Sequence, residues 1–356
     1  MGKHILCINP GSTSTRIAVF DDREKQFLTT LTHSNEELEQ FGDVQGQLQY
    51  RFDAIANVLR ENGIDVQKMD AVVGRGGALR PMEGGIFSVN ERMLEDCRTS
   101  KYAEHPSNLG CQLAQMFAAP YQIPCYVVDP PLVDEFAEES KYSGFAPIRR
   151  ISAFHALNEK IVARYIAEEL GKPLTELNIV TTHLGSGVSV TAHRGGRCID
   201  NTYGSGGDGP FSPERAGRMP GLELLRWMRR DPDYRAKRWG KLFSKQRGLV
   251  SYFGTNDVLS VTASMHAGDS FAKEVLDAMA YRIAKEIGGY AACMDQRIDA
   301  IGITGAIARS EYIVQIIRRH VEYLAPVYVY PGEFEMEGLA DGGLRALLNK
   351  EPVKNY

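Results

Sequence analysis

The sequence predicts an α/β protein of two lobes that repeat one unit. Three observations carry this: a Gly-rich hairpin near the start, a second half a chain later, and strands alternating with helices throughout. The first hairpin runs from Ile5-Leu-Cys-Ile8 through Asn9-Pro-Gly-Ser-Thr-Ser-Thr15 and back along Ile17-Ala-Val-Phe20. The second runs from Asn178-Ile-Val-Thr-Thr-His183 through Leu184-Gly-Ser-Gly187 to Val188-Ser-Val-Thr-Ala192. Gly11 and Gly185 lie 174 positions apart in a chain of 356 residues. That spacing fits duplication of a domain and is far too long for a solenoid.

Each element has its own signal. Ile5–Ile8 and Ile17–Phe20 are apolar runs of strand length, and a Pro-Gly turn with four hydroxyls separates them. A strand–turn–strand rich in Gly, Ser and Thr offers backbone N–H groups and hydroxyls to an anion, although the same residues also favour an ordinary hairpin turn. It lacks the Lys-Ser/Thr ending of a P-loop, and no helix follows it directly. A polar stretch comes next, then an amphipathic helix with Val44, Leu48, Phe52, Ile55 and Leu59 on one face and Gly63 as its stop. Met69 to Val73 reads as a buried strand running into Gly74-Arg-Gly-Gly77, and Tyr126-Val-Val-Asp129 as another closed by Pro130 and Pro131.

A helix carrying Leu157, Ile161, Tyr165, Ile166 and Leu170 on one side ends at Gly171. After the second hairpin, Gly195-Gly196 turns into Arg197-Cys-Ile-Asp200. Phe271, Val275, Met279, Ile283 and Ile287 form an i, i+4 ladder, the clearest helix of the chain. It leads to the strand Ala300–Ile303, the turn Thr304-Gly-Ala306 and a helix that Ser310 is placed to cap. The strand Val327–Tyr330 ends in Pro331-Gly332, and Glu335 to Leu348 reads as a final helix.

Composition narrows the class. Apolar content of 43% and charged content of 24% are those of a soluble globular protein, and a net charge of −4 argues against a general nucleic-acid or membrane-surface binder. Any polyanionic ligand must be met by locally placed Arg and Lys. The six cysteines (Cys7, Cys97, Cys111, Cys125, Cys198 and Cys293) show no CxxC or His-rich spacing. They support neither a zinc site nor a disulfide framework, and fit a reducing compartment. The N-terminus has no apolar signal region, no run spans a bilayer, and Leu6 stands where a myristoylation signal wants Ser or Thr. The expected location is cytoplasmic.

The paired hairpins and the late strand–Gly turn–helix resemble the duplicated actin-like, ribonuclease-H-like ATPase fold shared by acetate kinase, sugar kinases, actin and heat-shock chaperones. Within it, a series of motifs narrows the match: Asn9-Pro-Gly-Ser-Thr-Ser-Thr15, Gly74-Arg-Gly-Gly77, His105-Pro-Ser-Asn-Leu-Gly110, Val127-Val-Asp-Pro130, Phe154-His-Ala-Leu-Asn158, Gly209-Pro-Phe-Ser-Pro-Glu-Arg215, Gly254-Thr-Asn-Asp257 and Tyr330-Pro-Gly332. In order along nearly the whole chain, they resemble the butyrate kinases of the acetate kinase family. The resemblance implies reversible phosphoryl transfer between ATP and a short- or branched-chain carboxylate, with Mg²⁺ and a nucleotide cleft between the lobes. It also implies a homodimer or larger homo-oligomer. Residues 1–150, joined by a C-terminal helix over about 336–356, are expected to form one lobe, and 151–335 the other.

The chemistry sets what the site must supply. A carboxylic acid with a pKa of about 4 is already a nucleophile at neutral pH, so no base is needed. The difficulty is bringing one anion up to another, which calls for positioning and for neutralising charge on the transferring group. By the resemblance, Arg215 stabilises the phosphoryl group, His155 contacts it, and Asp129 orients the substrate or contacts the metal through water. Asn9, Ser12 and Ser14 serve the γ-phosphate side and the metal's waters, with Arg16 where the family carries Lys. His183, Gly185, Ser186 and Gly187 hold the β-phosphate side, Gly305 flanks the phosphates, Asp257 lines the adenine or ribose, and Glu335 is linked to the metal. Arg75, between glycines after a buried strand, is the candidate to pair with the substrate carboxylate through two parallel hydrogen bonds. The family places its corresponding arginine a few residues earlier, at apolar Val72.

Other departures are Gly206 for Asp, Leu259 for Arg, Ala306 for the second glycine of a turn and Phe334 for an acidic residue. They leave open a divergent member with altered substrate or lost activity. A sugar or polyol kinase on the same fold is the chief rival and would use Asp129 as a base. An ATP-gated chaperone-like module lacks room for a peptide-binding domain, and no HxxxH pair supports a metal-dependent relative.

Overall fold

The first hairpin forms as two long strands, β1 (His4–Pro10) and β2 (Ser14–Asp21), paired antiparallel from His4–Asp21 to Pro10–Thr15. The computed structural model describes residues 2–230, 246–295 and 297–356. β3 (Glu24–Thr32) extends the meander within the stretch read as merely polar. Glu24, Lys25 and Gln26 on it are exposed while Phe27 and Leu31 pack inward, so an edge strand carries only a weak apolar signal.

A short α1 (Asn35–Glu39), closed by a Ser34–Glu37 capping box, precedes α2 (Leu48–Glu61), which buries Arg51, Ile55 and Leu59. β4 (Ala71–Arg75) runs parallel to β1. Then come β5 (Ile86–Ser88), α3 (Glu91–Arg98), α4 (Asn108–Ala118) and β6 (Cys125–Val128). α4 is buried along most of its length, and so shows no stripe to read.

A small exposed hairpin, β7 (Tyr142–Phe145) and β8 (Ile148–Arg149), leads to α5 (Ala156–Leu170), which ends at left-handed Gly171. The second meander is β9 (Asn178–Leu184), β10 (Val188–Arg194) and β11 (Arg197–Asn201). Helices α6 (Gly221–Met228), α7 (Leu249–Phe253) and α8 (Val258–His266) precede α9 (Ser270–Ala291). α9 buries Val275, Leu276, Met279, Ile283 and Ile287, and each large apolar side chain buried contributes roughly 1.5–3 kcal/mol. β12 (Ala300–Gly305), α10 (Glu311–Val321) with Ser310 as its cap, and β13 (Val327–Pro331) complete this part.

The chain ends with α11 (Glu335–Leu347) and β14 (Val353–Asn355). The helix expected over about 336–356 therefore stops at Leu347. Asn349 turns left-handed, and β14 pairs in parallel with β5 instead of continuing the helix.

Two units result: Met1–Asp134 with Phe334–Tyr356, and Glu135–Glu333. The sheet of the first has the order β14-β5-β6-β4-β1-β2-β3, that of the second β11-β10-β9-β12-β13. Each contains an antiparallel meander continued by two parallel strands, with β1 and β9 starting 174 residues apart, as the hairpin spacing requires. Among the described residues no helix is long and apolar enough to cross a membrane.

Candidate active site

In the first unit Asn9, Arg75 and Glu335 converge. The β1–β4 pairing ends at Ile8 and Gly74, and the next residues, Asn9 and Arg75, stand side by side near the ends of their strands. Glu335 opens α11, where the helix N-terminus favours a carboxylate. Arg75 Nη1 donates to Glu335 Oε1 at 2.7 Å and to Asn9 Oδ1 at 3.2 Å, and Asn9 Nδ2 donates to Glu335 Oε2 at 2.7 Å. Arg75 Nε and Nη2 make no hydrogen bond among the described residues, which leaves part of the guanidinium fork open to a ligand. His105 lies close by, and burial, then the Arg75 charge, pushes its imidazole below the ordinary value.

The hairpin turn is closed by the Gly11 N–H donating to the Ser14 carbonyl at 2.7 Å. Ser12 is exposed, Ser14 half-buried, and Arg16 faces Asn9 across the ladder. Arg51, fully buried on α2, holds the turn from behind. Its Nη1 donates to the Ser14 carbonyl at 3.0 Å and Thr15 Oγ1 at 2.9 Å, and its Nη2 to the Ser12 carbonyl at 3.1 Å and Gln47 Oε1 at 2.9 Å. No carboxylate meets this cation among the described residues, and burial lowers its pKa from the ordinary arginine value. The reading of the sequence passed over Arg51. Its signal is a charged residue set between Leu48 and Ile55 on an apolar face.

Asp129 is buried just past β6 with φ 39°, a left-handed conformation uncommon outside glycine. Its N–H donates to the Gly85 carbonyl at 3.0 Å, and its Oδ1 accepts from the Gly85 N–H at 2.7 Å. One carboxylate oxygen is thus engaged by backbone.

In the second unit His183 takes the place that Asn9 holds in the first, 174 residues on, and Thr304 pairs with it across β9 and β12. The His183 and His155 rings stack, with centroids 3.9 Å apart and planes at 20°. The turn is closed by the Gly185 N–H donating to the Gly187 carbonyl at 3.0 Å. The loop 209–215 latches onto it: Ser212 Oγ donates to the Ser186 carbonyl at 2.7 Å and the Glu214 N–H to the same oxygen at 3.2 Å.

This latch seats Arg215. Any Cβ on Gly187 would fall on the Arg215 guanidinium, so only glycine admits it. Arg215 Nε is buried with no hydrogen-bond partner among the described residues, and burial lowers the side chain's pKa from the ordinary value. Gly305, at φ 93°, packs directly on Leu184, where a side chain would collide with backbone. Asp257 is exposed and caps α8, accepting from the Leu259 N–H at 2.9 Å; its neighbour Asn256 donates to Glu214 Oε1 at 2.7 Å.

The first unit thus brings Asn9, Arg75 and Glu335 together, and the second brings His155 to His183 and Arg215 to Gly187; Asp129 and Asp257 are engaged with Gly85 and with the start of α8 instead. Of the departures, Gly206 has a plain cause: a Cβ there would strike the Tyr203 ring. Leu259 is 74% exposed and Ala306 is exposed, so neither disturbs the packing.

Repeated meander sheets, each opening with a Gly-rich hairpin turn and continued by parallel strands, form a mixed α/β protein of the duplicated actin-like ATPase fold. The sequence model of the acetokinase family matches residues 133–333, more than half of the chain, and the chain belongs to that family. Solved structures similar in fold include an acetate kinase from Porphyromonas gingivalis, 18% identical, with 97% of this chain and 100% of that one covered at a TM-score of 0.77. A propionate kinase from Francisella tularensis subsp. tularensis SCHU S4 is 20% identical, covering 96% and 98% at 0.72. An acetate kinase from Entamoeba histolytica is 16% identical, covering 96% and 98% at 0.70.

Proposed function

We propose that this chain transfers the γ-phosphoryl group of ATP, reversibly, to a short- or branched-chain carboxylate of the butyrate type. The observation that carries the reading is the seat of Arg215, a part-buried cation with an unpaired Nε lodged against the Gly187 turn. A preorganised, poorly solvated donor of this kind suits a phosphoryl group whose charge redistributes during transfer. Family membership supports the reaction class, and the motif series from Asn9 to Gly332 supports the butyrate-like acid.

A carboxylate oxygen attacks the γ-phosphorus. The new O–P bond forms as the bond to the β–γ bridging oxygen breaks, and that electron pair leaves with ADP; no proton moves. Arg215 and His155 donate to the phosphoryl oxygens. The turn with Asn9, Ser12, Ser14 and Arg16 serves the γ-phosphate side; His183, Gly185, Ser186, Gly187 and Gly305 serve the β side, with Asp257 towards the nucleoside. Arg75 offers Nε and Nη2 to the substrate carboxylate, and Asp129 orients it.

Magnesium fits in one way. Both Glu335 oxygens already accept from Arg75 and Asn9, and among the described residues no cluster of three His, Cys, Asp or Glu side chains could hold a metal. Asn9 and Glu335 therefore suit an ion that keeps its waters and draws direct ligands from phosphate oxygens. When bound it would neutralise phosphate charge. A homodimer or larger homo-oligomer belongs to the same proposal.

Hydroxylamine trapping with ATP and a panel of acetate, propionate, butyrate, isobutyrate and longer acids tests it. Acyl hydroxamate should form most rapidly with four-carbon acids. Phosphorylated glycerol or hexose with no hydroxamate would favour the sugar-kinase reading instead.

A further inference from the structure

The His155 ring is backed by a buried relay. His155 Nδ1 lies 2.6 Å from Ser189 Oγ, and that hydroxyl donates to Glu159 Oε1 at 2.5 Å. Glu159 Oε1 also accepts from the His155 backbone N–H at 3.2 Å, and Oε2 accepts from Thr181 Oγ1 at 2.7 Å. Glu159 is 0% exposed and Ser189 2%. The one proton of a serine hydroxyl is thus committed to Glu159, so in the contact with Ser189 the Nδ1–H of His155 is the donor. A neutral ring held that way carries no proton on Nε2, the nitrogen a phosphoryl oxygen would need protonated.

We propose that Glu159 is a positioning residue which, through the Ser189 hydroxyl, decides whether His155 carries a proton on Nε2. The inference rests on the reading of His155 as a phosphoryl contact. A proton taken up at Nε2 has two resting states. It stays on an imidazolium ring, or the Nδ1 proton passes to Ser189 Oγ as the serine proton passes to Glu159. Both leave Nε2–H facing outward from the relay, and the second does so without a net charge on the ring. Burial favours it, because the Glu159 carboxyl is pushed up to about 7.

Few titratable groups surround Glu159 to compete. Its own helix brings His155 and Lys160, whose ammonium is taken by Glu135 at 2.9 Å. β9 brings His183. β10 brings His193, which meets Thr181 at 2.8 Å and is held neutral by burial, its pKa lowered to about 3. β11 brings the buried Cys198 thiol, pushed up by burial, and Asp200, paired with Arg150 at 2.8 Å. β12, also packed on α5, brings none.

Nitrogen-15 NMR of the full chain with labelled histidine tests this, His155 being assigned with His155→Gln. Above the relay's titration, wild-type His155 should hold the Nδ1–H tautomer, the reverse of the free side chain's preference. Ser189→Ala should return the ring to Nε2–H, Ser189→Thr should keep Nδ1–H, and Glu159→Gln should remove the step near neutral pH. Acyl phosphate formation in the wild type should fall at least about tenfold as pH rises through that step. An Nε2–H ring in the wild type at high pH, or Ser189→Ala and Glu159→Gln curves that superimpose on it, would overturn the proposal. If Ser189→Ala does not fold, Glu159→Gln decides alone. An Nδ1–H ring in a chain that makes no acyl phosphate supports the relay and sinks the functional reading.

Discussion

Arg75 rests on Glu335, Nη1 to Oε1 at 2.7 Å, although 260 positions separate them in the chain. The carboxylate aims the guanidinium through Nη1, and in the proposed function Nε and Nη2 serve the substrate carboxylate. Arg75→Ala should therefore raise KM for the carboxylate about 10- to 100-fold, matching the ~1.5–3 kcal/mol of a hydrogen bond to a charged group, and change KM for ATP less. Steady-state kinetics varying each substrate reads the split. Equal rises in both constants would mean that Arg75 does not serve the carboxylate.

Arg215→Ala should lower kcat about 10²–10³-fold with a smaller change in ATP affinity, the usual loss for one transition-state donor. Gly187→Ala should reproduce much of that defect with every charge retained, since the added methyl occupies the guanidinium's place. Unchanged turnover in Gly187→Ala, with the melting temperature also unchanged, would show that the seat does not matter.

Arg51→Met keeps apolar volume but takes the guanidinium donors from the Ser12 carbonyl and from Gln47 Oε1, while the Ser14 carbonyl keeps the Gly11 N–H. Each orphaned group costs ~1–3 kcal/mol, partly offset because an unpaired buried cation is also removed. A net loss of about 1–3 kcal/mol should appear in urea unfolding, with weaker ATP binding by calorimetry. Arg51→Lys should not rescue it, because one ammonium cannot span both carbonyls and Gln47.

Glu159 also makes stability depend on pH. Its folded pKa of about 7 exceeds the ordinary 4.5, so the folded state holds the proton more tightly than the unfolded chain. That contribution is complete below about 4.5 and disappears as pH rises to about 7, a change of roughly 3 kcal/mol. Glu159→Gln should be flatter between pH 5 and 8 and gain on the wild type at pH 8, as judged by urea unfolding. The His193 contribution has the opposite sign, present above its unfolded value and lost in acid, and cancels between the two proteins. Parallel profiles would show that the carboxyl is ionised throughout.

Both hairpins were legible because Pro and Gly punctuate continuous apolar runs, and α9 because its ladder repeats without interruption. The duplication followed from the 174-residue spacing alone. β3 escaped because an edge strand carries Thr, Lys and Glu outward, and α4 because burial on nearly all sides erases any stripe. β5 and β14 are three-residue strands whose pairing joins Ile86 to Val353, a contact with no local signature. At the site, Arg75 and Glu335 were each readable singly, but their contact was not. Glu159 and Ser189 looked like ordinary members of a helix and a strand; only folding brings their polar atoms within 2.5 Å.

The first unit is discontinuous in sequence, since α11 and β14 come back to pack on β1, β4, β6 and β5 after the whole second unit has been made. During synthesis, then, residues 1–134 emerge as an unfinished sheet that must wait for the last two dozen residues before its edge is sealed. No single proteolytic cut frees that unit intact. A circular permutant with old termini joined and new ends at Glu135 would make it contiguous, and is the natural route to expressing it alone.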